Sequence, residues 1–237
     1  MPKMRPRMRL PTFPCALLVL SGRHARLAAL AVASAFALPV CAADSLKFDQ
    51  VFDTRGEPSA LHFQVSYASA GSEHRLEVWR EGLLRLRRRS DQDVDSFITR
   101  PAGSAEWSMS VLDHQRKIHT RISRTNLFRL GNFSDWFDLA HGLKRPMGPY
   151  RLRTAAAPGG APKAIDRCDW YVLEAGEAGS AVCWSERFCL PLLMLDQQGH
   201  VIWRTTAIAI GPLPSDVFDI KDGGYVLNDA NADIEPD

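Results

Sequence analysis

The chain has few cysteines and lacks the motifs that many enzymes require. Its 237 residues include 5 cysteines and no C-x-x-C pair, which excludes a thioredoxin-type redox site and an attached c-type haem. It contains no G-x-S-x-G segment, no Gly-rich phosphate loop and no dinucleotide fingerprint. No serine or cysteine stands in an evident arrangement with histidine and aspartate for nucleophilic catalysis. These absences predict a protein that is not an enzyme and has no cofactor.

The sequence also lacks a metal-binding pattern. Its histidines are scattered and are not grouped at the short spacings of zinc sites. Asp229, Asn231 and Asp233 match the first ligand positions of a calcium loop, but Ile234 stands where that loop needs glycine. We therefore predict no bound metal, and we interpret residues 212–237 as an acidic, solvated C-terminal extension.

The first 43 residues contain no acidic residue, and six of them are basic. An apolar run over residues 27–40 follows the basic part, and small side chains at positions 41–43 close it. This order is typical of a secretory signal peptide. We therefore predict that residues 1–43 are a signal peptide and that the mature protein is periplasmic. A lipid anchor through an acylated Cys41 is the alternative, but the two residues before Cys41 suit that processing poorly.

Long hydrophobic runs are absent as well. No stretch reaches the roughly 20 apolar residues that a membrane-spanning helix needs, so we predict that the protein is not transmembrane. Without residues 1–43, the chain has 23 basic and 27 acidic residues and a net charge of −4. This balance gives no case for nucleic acid as a partner. The remaining 194 residues have the length of one domain, which we place at residues 44–211.

Export would place three cysteines in an oxidising compartment, where disulfides form. Cys168 and Cys183 flank two strand-like runs around a glycine-containing turn. This geometry can bring two side chains together across a hairpin, so we predict a Cys168–Cys183 disulfide. A Cys183–Cys189 bridge is the alternative. If Cys168 and Cys183 are paired, Cys189 is a buried free thiol.

Short segments of alternating apolar and polar residues dominate the predicted domain. They lie at residues 61–67, 74–79, 83–89, 94–99, 107–112, 117–123, 168–173, 181–185, 190–195 and 201–210. Turns of hairpin length separate most of them, a pattern typical of an antiparallel meander. Residues 132–143 predict a helix with Ser134 as N-cap, because apolar residues recur there at i, i+3, i+4 and i+7. The predicted fold class is mainly β (α+β).

Three stretches carry a resemblance to a known family. CDWYVL…AVCWSERFCLPLLMLDQQGHVIW, VWREGLLRLRRR and MSVLDHQRKI are similar to the strand units of periplasmic proteins in the lipoprotein-carrier-like superfamily, the LolA-like half-barrels. The resemblance implies a curved antiparallel sheet, an open half-barrel whose concave apolar face is covered by one or two helices. It also implies that this face binds acyl chains or lipidated proteins.

An incomplete helical cover over such a sheet would leave an apolar groove for a hydrocarbon chain. Each buried CH₂ group contributes about 0.8 kcal/mol, so even a short groove binds a lipid usefully. We therefore predict an envelope protein that binds a lipid or a lipidated protein without catalysis. The candidate lining residues are Trp79, Trp107, Trp136, Trp170 and Trp203. In the alternative, these side chains fill a closed core, and the protein is a structural or accessory partner of another envelope protein.

Five arginines lie close together in the sequence, at Arg80, Arg85, Arg87, Arg88 and Arg89. Such a group attracts an anionic partner, such as a lipid head group or an acidic protein surface. A simpler interpretation is that the arginines lie on an edge strand, where their charge prevents unwanted pairing with a strand of another molecule. Pairing with the acidic C-terminal extension is a third interpretation.

Overall fold

The chain folds around one long, open β-sheet. The structure is a computed structural model, and it describes residues 45–129 and 135–232. The strands in these ranges are β1 (Ala60–Ser69), β2 (Ser72–Glu81), β3 (Arg85–Ser90), β4 (Val94–Thr99), β5 (Ser108–Asp113), β6 (Ile118–Ser123), β7 (Tyr150–Ala155), β8 (Asp169–Ala175), β9 (Ala178–Ser185), β10 (Leu190–Asp196), β11 (Val201–Ile210) and β12 (Val226–Asp229). The helices are α1 (Phe48–Val51), α2 (Arg124–Arg129) and α3 (Trp136–His141).

Two antiparallel meanders form the sheet. The strand order is β12-β6-β5-β4-β3-β2-β1-β11-β10-β9-β8-β7, so neighbours in sequence are also neighbours in space within each meander. The pairing of β1 with β11 joins the two meanders, and β12 lies parallel to β6 at one edge. The other edge strand, β7, does not pair with β12, and the sheet stays open. This architecture confirms the predicted mainly β fold with an open, curved antiparallel sheet.

Side chains alternate between two faces of the sheet, as the period of a strand requires. On β1, Leu61, Phe63 and Val65 are at most 2% exposed, while the residues between them are half-buried or exposed. The same three side chains pack with α3 in the main core. We call the face that carries them the concave face and the opposite one the convex face. Residues that face each other in the strand register share a face.

Two clusters of buried apolar side chains hold the helices against the concave face. The larger one joins Trp136, Leu139 and Ala140 of α3 to the first four strands and to β9–β11. The second joins Phe48 of α1 and Phe137 of α3 to β7, β8 and β9. Full burial of a large apolar side chain contributes about 1.5–3 kcal/mol, so these contacts fix α1 and α3 against the sheet.

The ends of α3 are set by local hydrogen bonds. The Asp135 carboxylate accepts a hydrogen bond from the Trp136 backbone N–H at 2.7 Å, which makes Asp135 the N-cap. At the other end, Gly142 has φ 71° and donates its N–H to the Asp138 carbonyl. The predicted central helix is therefore present at residues 136–141. Ser134, predicted as its N-cap, lies outside the described residues.

The C-terminal extension packs on the sheet. Residues 212–225, which we call the convex strap, cross the convex face of β3 to β6, where Val217 is 6% exposed. β12 follows the strap and pairs with β6. Most described side chains of the extension are exposed, including all of β12, and Val217 is the one buried side chain in the described part of the extension.

Two predictions concern residues that the structure does not describe. The signal peptide at residues 1–43 and the acylation of Cys41 lie there and stay predictions. Within the described ranges, every helix is too short or too polar to cross a lipid bilayer.

Candidate functional site

The cover over the concave face is incomplete along β3 to β6. Next to α3, Leu86 and Ile98 are 0% and 1% exposed. Two residues further along each strand, the side chains on this face are only half-buried. We call this area the concave shelf, and its members are Arg88, Ser90, Val94, Ser96, Val111, Asp113, Ile118 and Thr120.

The concave shelf mixes apolar and hydrogen-bonding side chains. Val94, Val111 and Ile118 supply aliphatic surface, and three hydroxyl groups and two charged groups lie between them. The shelf continues into partly buried Tyr67 and Met109, which pack against the main core. A surface with this composition suits a molecule that has both an apolar chain and a polar end.

A buried ionic network fixes α3 beside the shelf. The fully buried Arg80 side chain on β2 donates to the carbonyls of Ala140 and Phe188 at 3.2 and 3.4 Å. Its guanidinium lies 3.5 Å from the Glu57 carboxylate, which also contacts His141 Nε2 at 2.9 Å. Burial lowers the pKa of His141, although the hydrogen bond with Glu57 opposes this. The network thereby joins β2, α3 and the loop before β1.

The tryptophans predicted to line a groove lie in different places. Trp107, Trp136 and Trp203 are 3–6% exposed within the main core, and Trp170 is partly buried at its border. Trp79 lies outside this core, because it faces His62 in the register and stacks on it, on the convex face. The register also places Trp170 on the convex face. The described tryptophans near the helix therefore act first as core packing, and the open part of the concave face begins beyond them.

The cysteine prediction is confirmed. Cys168 and Cys183 form a disulfide between the start of β8 and β9, with their Cα atoms 5.3 Å apart. Cys189 is a free, buried thiol. Burial raises the pKa of Cys189 to about 11, so this side chain is a neutral thiol near pH 7. It is therefore a poor nucleophile.

The five arginines do not form one cluster. Alternation places Arg80 and Arg88 on the concave face and the others on the convex face. The interpretation as a protected edge strand is wrong, because β3 lies between β2 and β4. Contact with the C-terminal extension is present, since Arg87 donates to the Val217 carbonyl at 2.9 Å. Arg85 also lies 4.6 Å from the centre of the Phe218 ring.

Asp95 is the buried centre of the convex face. This carboxylate is 2% exposed and accepts hydrogen bonds from Arg87 and Arg89, two from each guanidinium group, at 2.8–3.3 Å. His114 Nε2 lies 3.1 Å from it. Burial by itself raises the pKa of Asp95, but the two guanidinium groups outweigh it and lower the pKa to about 2. Arg87 and Arg89 are thus occupied within the fold.

The lowered pKa of Asp95 predicts a loss of stability in acid. Its charged form stabilises the fold above the ordinary carboxyl pKa of 3.8, and this contribution of about 2 kcal/mol disappears as the pH falls towards 2. Urea unfolding measures the free energy of unfolding at pH 5 and at pH 2. The decrease between these two values should be smaller in Asp95→Asn than in the original protein by about this amount. Asp169→Asn, at an exposed position, is the control and should keep the drop of the original protein. Equal drops in all three proteins would contradict the prediction.

The calcium-like residues have other contacts. The Asn231 side-chain oxygen accepts the Ser123 backbone N–H at 2.8 Å, and Asp229 accepts two hydrogen bonds from Asn231. Asp233 lies outside the described residues. In residues 45–129 and 135–232, no group of three or more His, Cys, Asp or Glu side chains has a metal-binding arrangement.

The chain was compared with known proteins. No family model matches it, and no curated protein does. A crystal structure of MucB is similar at 15% identity and a TM-score of 0.37, over 70% of this chain and 58% of MucB. The Pseudomonas aeruginosa MucA/MucB complex matches at 16% identity and a TM-score of 0.35, over 71% and 57%. The chain thus spans less than two thirds of those MucB chains.

A LolA superfamily protein from Nitrosomonas europaea is also among the matches. It shares 14% identity at a TM-score of 0.31, over 73% of this chain and 95% of that protein. The identities and TM-scores of all these matches are low. The function has to be argued from the chain's own residues.

Proposed function

We propose that this protein is an exported, periplasmic binding protein that holds the apolar chain of a lipid or a lipidated protein on its concave shelf, without catalysis. The observation that carries the proposal is the change in burial along the concave face. Beside α3 the face is closed, whereas Val94, Val111 and Ile118 further along the strands are half-buried and do not belong to the main core among the described residues. An aliphatic chain laid on them would remove apolar surface from water.

Export is part of the proposal and is supported by two features. Residues 1–43 have the composition of a signal peptide. The Cys168–Cys183 disulfide is of the kind that forms and persists in an oxidising compartment. This part is tested by isolating the protein from a periplasmic extract. We expect to find it there with residues 1–43 already cleaved off.

The alternative of docking an envelope protein through the arginines or the acidic tail has less support. Arg87 and Arg89 are held by Asp95, and the convex strap lies over the same face. An approaching acidic surface would have to compete with these internal contacts. The lipid proposal needs no such rearrangement.

Binding of a neutral apolar chain tests the proposal. We expect the delipidated protein to raise the fluorescence of Nile red and hexadecanol to displace the dye. Val111→Asp should weaken hexadecanol binding at least about tenfold, because a charged group at the middle of the shelf would lose its hydration under the chain.

Ser110→Asp is the matched control, since Ser110 is the preceding residue of β5 and lies on the convex face. It should leave hexadecanol binding unchanged. Failure of hexadecanol to displace the dye would contradict the proposal. Equal weakening by the two variants would also contradict it, because the apolar site would then not be the concave shelf.

A further inference from the structure

Arg88 differs from the other arginines of β2 and β3. Four of those have a carboxylate partner: Arg80 has Glu57, Arg85 has Glu81, and Arg87 and Arg89 share Asp95. Arg75 lies on the convex face and is exposed. Within the described part of the chain, the Arg88 side chain has no salt bridge and no hydrogen bond. A half-buried guanidinium group is thus left without an anion.

Arg88 lies at the edge of the closed core, where its charge is partly removed from water. In the register Arg88 faces Val78, which is 1% exposed, on one side and Ser96 on the other. Burial lowers the pKa of Arg88, which means that the surroundings disfavour its charge. Arginine nevertheless stays protonated in proteins, so the group remains a cation on the concave face. An anion placed there would restore the missing interaction.

We propose that Arg88 binds the anionic end group, a carboxylate or phosphate, of an amphiphile whose apolar chain lies on the concave shelf. This inference rests on the proposed function and specifies the class of ligand. The planar guanidinium group can donate two parallel hydrogen bonds to either oxyanion. Val94, Val111 and Ile118 lie on the same face, on the three following strands, so chain and charge are recognised on one continuous surface.

Ser96 is a second donor for the same oxyanion. It is the residue that faces Arg88 across the β3–β4 pair, and its hydroxyl has no hydrogen bond among the described residues. A hydroxyl beside a guanidinium group adds one directed hydrogen bond to the charge interaction. The two side chains thereby form a small anion site at the border between the shelf and the closed core.

The experiment compares two ligands that differ in their end group. Palmitate and hexadecanol carry 16-carbon chains, and each displaces Nile red from the delipidated protein at pH 8. We expect palmitate to bind more tightly than hexadecanol to the original protein. In Arg88→Gln, palmitate binding should weaken at least about tenfold, while hexadecanol binding should change less than about twofold.

Three further variants test the charge of Arg88, the Ser96 hydroxyl and the effect of removing an arginine elsewhere on the same strand. Arg88→Lys retains the charge and should recover part of the palmitate affinity, and Ser96→Ala should weaken palmitate binding a few-fold. Arg85 lies on the same strand but on the convex face, so Arg85→Gln should leave the affinity for both ligands unchanged. Thermal unfolding of each variant identifies any that fail to fold, in which case Arg88→Lys and Ser96→Ala carry the comparison.

The outcomes separate the inference from the function. Equal binding of palmitate and hexadecanol, unaffected by Arg88→Gln, would overturn the inference and leave the apolar site standing. Binding of neither ligand would overturn the proposed function and the inference with it. Selective loss of palmitate in Arg88→Gln, with hexadecanol retained, supports both.

Discussion

Replacement of Glu57 by alanine is expected to lower the free energy of unfolding by about 3–5 kcal/mol. The Arg80 side chain is fully buried, and Glu57 is its carboxylate partner. Without this carboxylate, the guanidinium group would keep two backbone carbonyls as acceptors, and its Nε already has none in the described structure. His141 would lose the same partner. A buried cation without its anion destabilises the fold by more than the net contribution of the ion pair. Urea unfolding of the original protein and of Glu57→Ala at pH 7 measures the loss of stability.

An exposed pair in the same part of the sheet provides the control. Glu81 pairs with Arg85, and their side chains are 40% and 45% exposed. Because water screens this pair, Glu81→Ala should cost less than about 1 kcal/mol. Glu57→Gln keeps the shape of the side chain and one hydrogen-bond acceptor. Its loss of free energy of unfolding should therefore lie between those of the two alanine variants. If Glu57→Ala and Glu81→Ala reduced stability equally, the network around Arg80 would not hold α3 as described.

The sheet could be predicted from the sequence because its signal is local. Alternation with period two marks β1 to β6 and β8 to β11, and turns of hairpin length connect most of the neighbours. The edge strands were missed for a physical reason. β12 is exposed along its length and shows no apolar face, and β7 has one fully buried residue, Leu152. A strand stabilised mainly by pairing with one neighbour leaves little periodicity in its sequence.

The candidate site was harder to predict, because it depends on which strands lie under α3. The tryptophans were the obvious apolar residues, but large side chains fill the closed core, and the open shelf carries smaller ones. Arg88 was hidden in a run of arginines. Alternation across residues 86–89 would have placed it on the face of Leu86, opposite Arg87 and Arg89. Its lack of a partner depends on contacts between strands that the sequence does not reveal.

Replacement of Gly142 by alanine is expected to lower the free energy of unfolding by about 2–5 kcal/mol, the sum of a backbone and a packing contribution. Gly142 ends α3 with φ 71°, a conformation that costs other residues about 1–2 kcal/mol. A Cβ atom there would also lie 2.6 and 2.8 Å from Cζ2 and Cζ3 of Trp203. This ring is 6% exposed, and its Nε1 donates to the Pro191 carbonyl at 3.0 Å. It cannot move aside cheaply, so overpacking adds about 1–3 kcal/mol.

Two other glycines separate these contributions. Gly224 has φ 82° and no atom within 4 Å of an added Cβ, so Gly224→Ala reports the backbone cost alone. Gly148 has neither a positive φ nor a neighbour within 4 Å, and Gly148→Ala should change stability by less than about 0.5 kcal/mol. The excess of Gly142→Ala over Gly224→Ala, measured by urea unfolding, is the cost of pushing α3 away from Trp203. If this excess were zero, the close approach of α3 to β11 would be wrong, and the boundary between the closed core and the concave shelf would have to be redrawn.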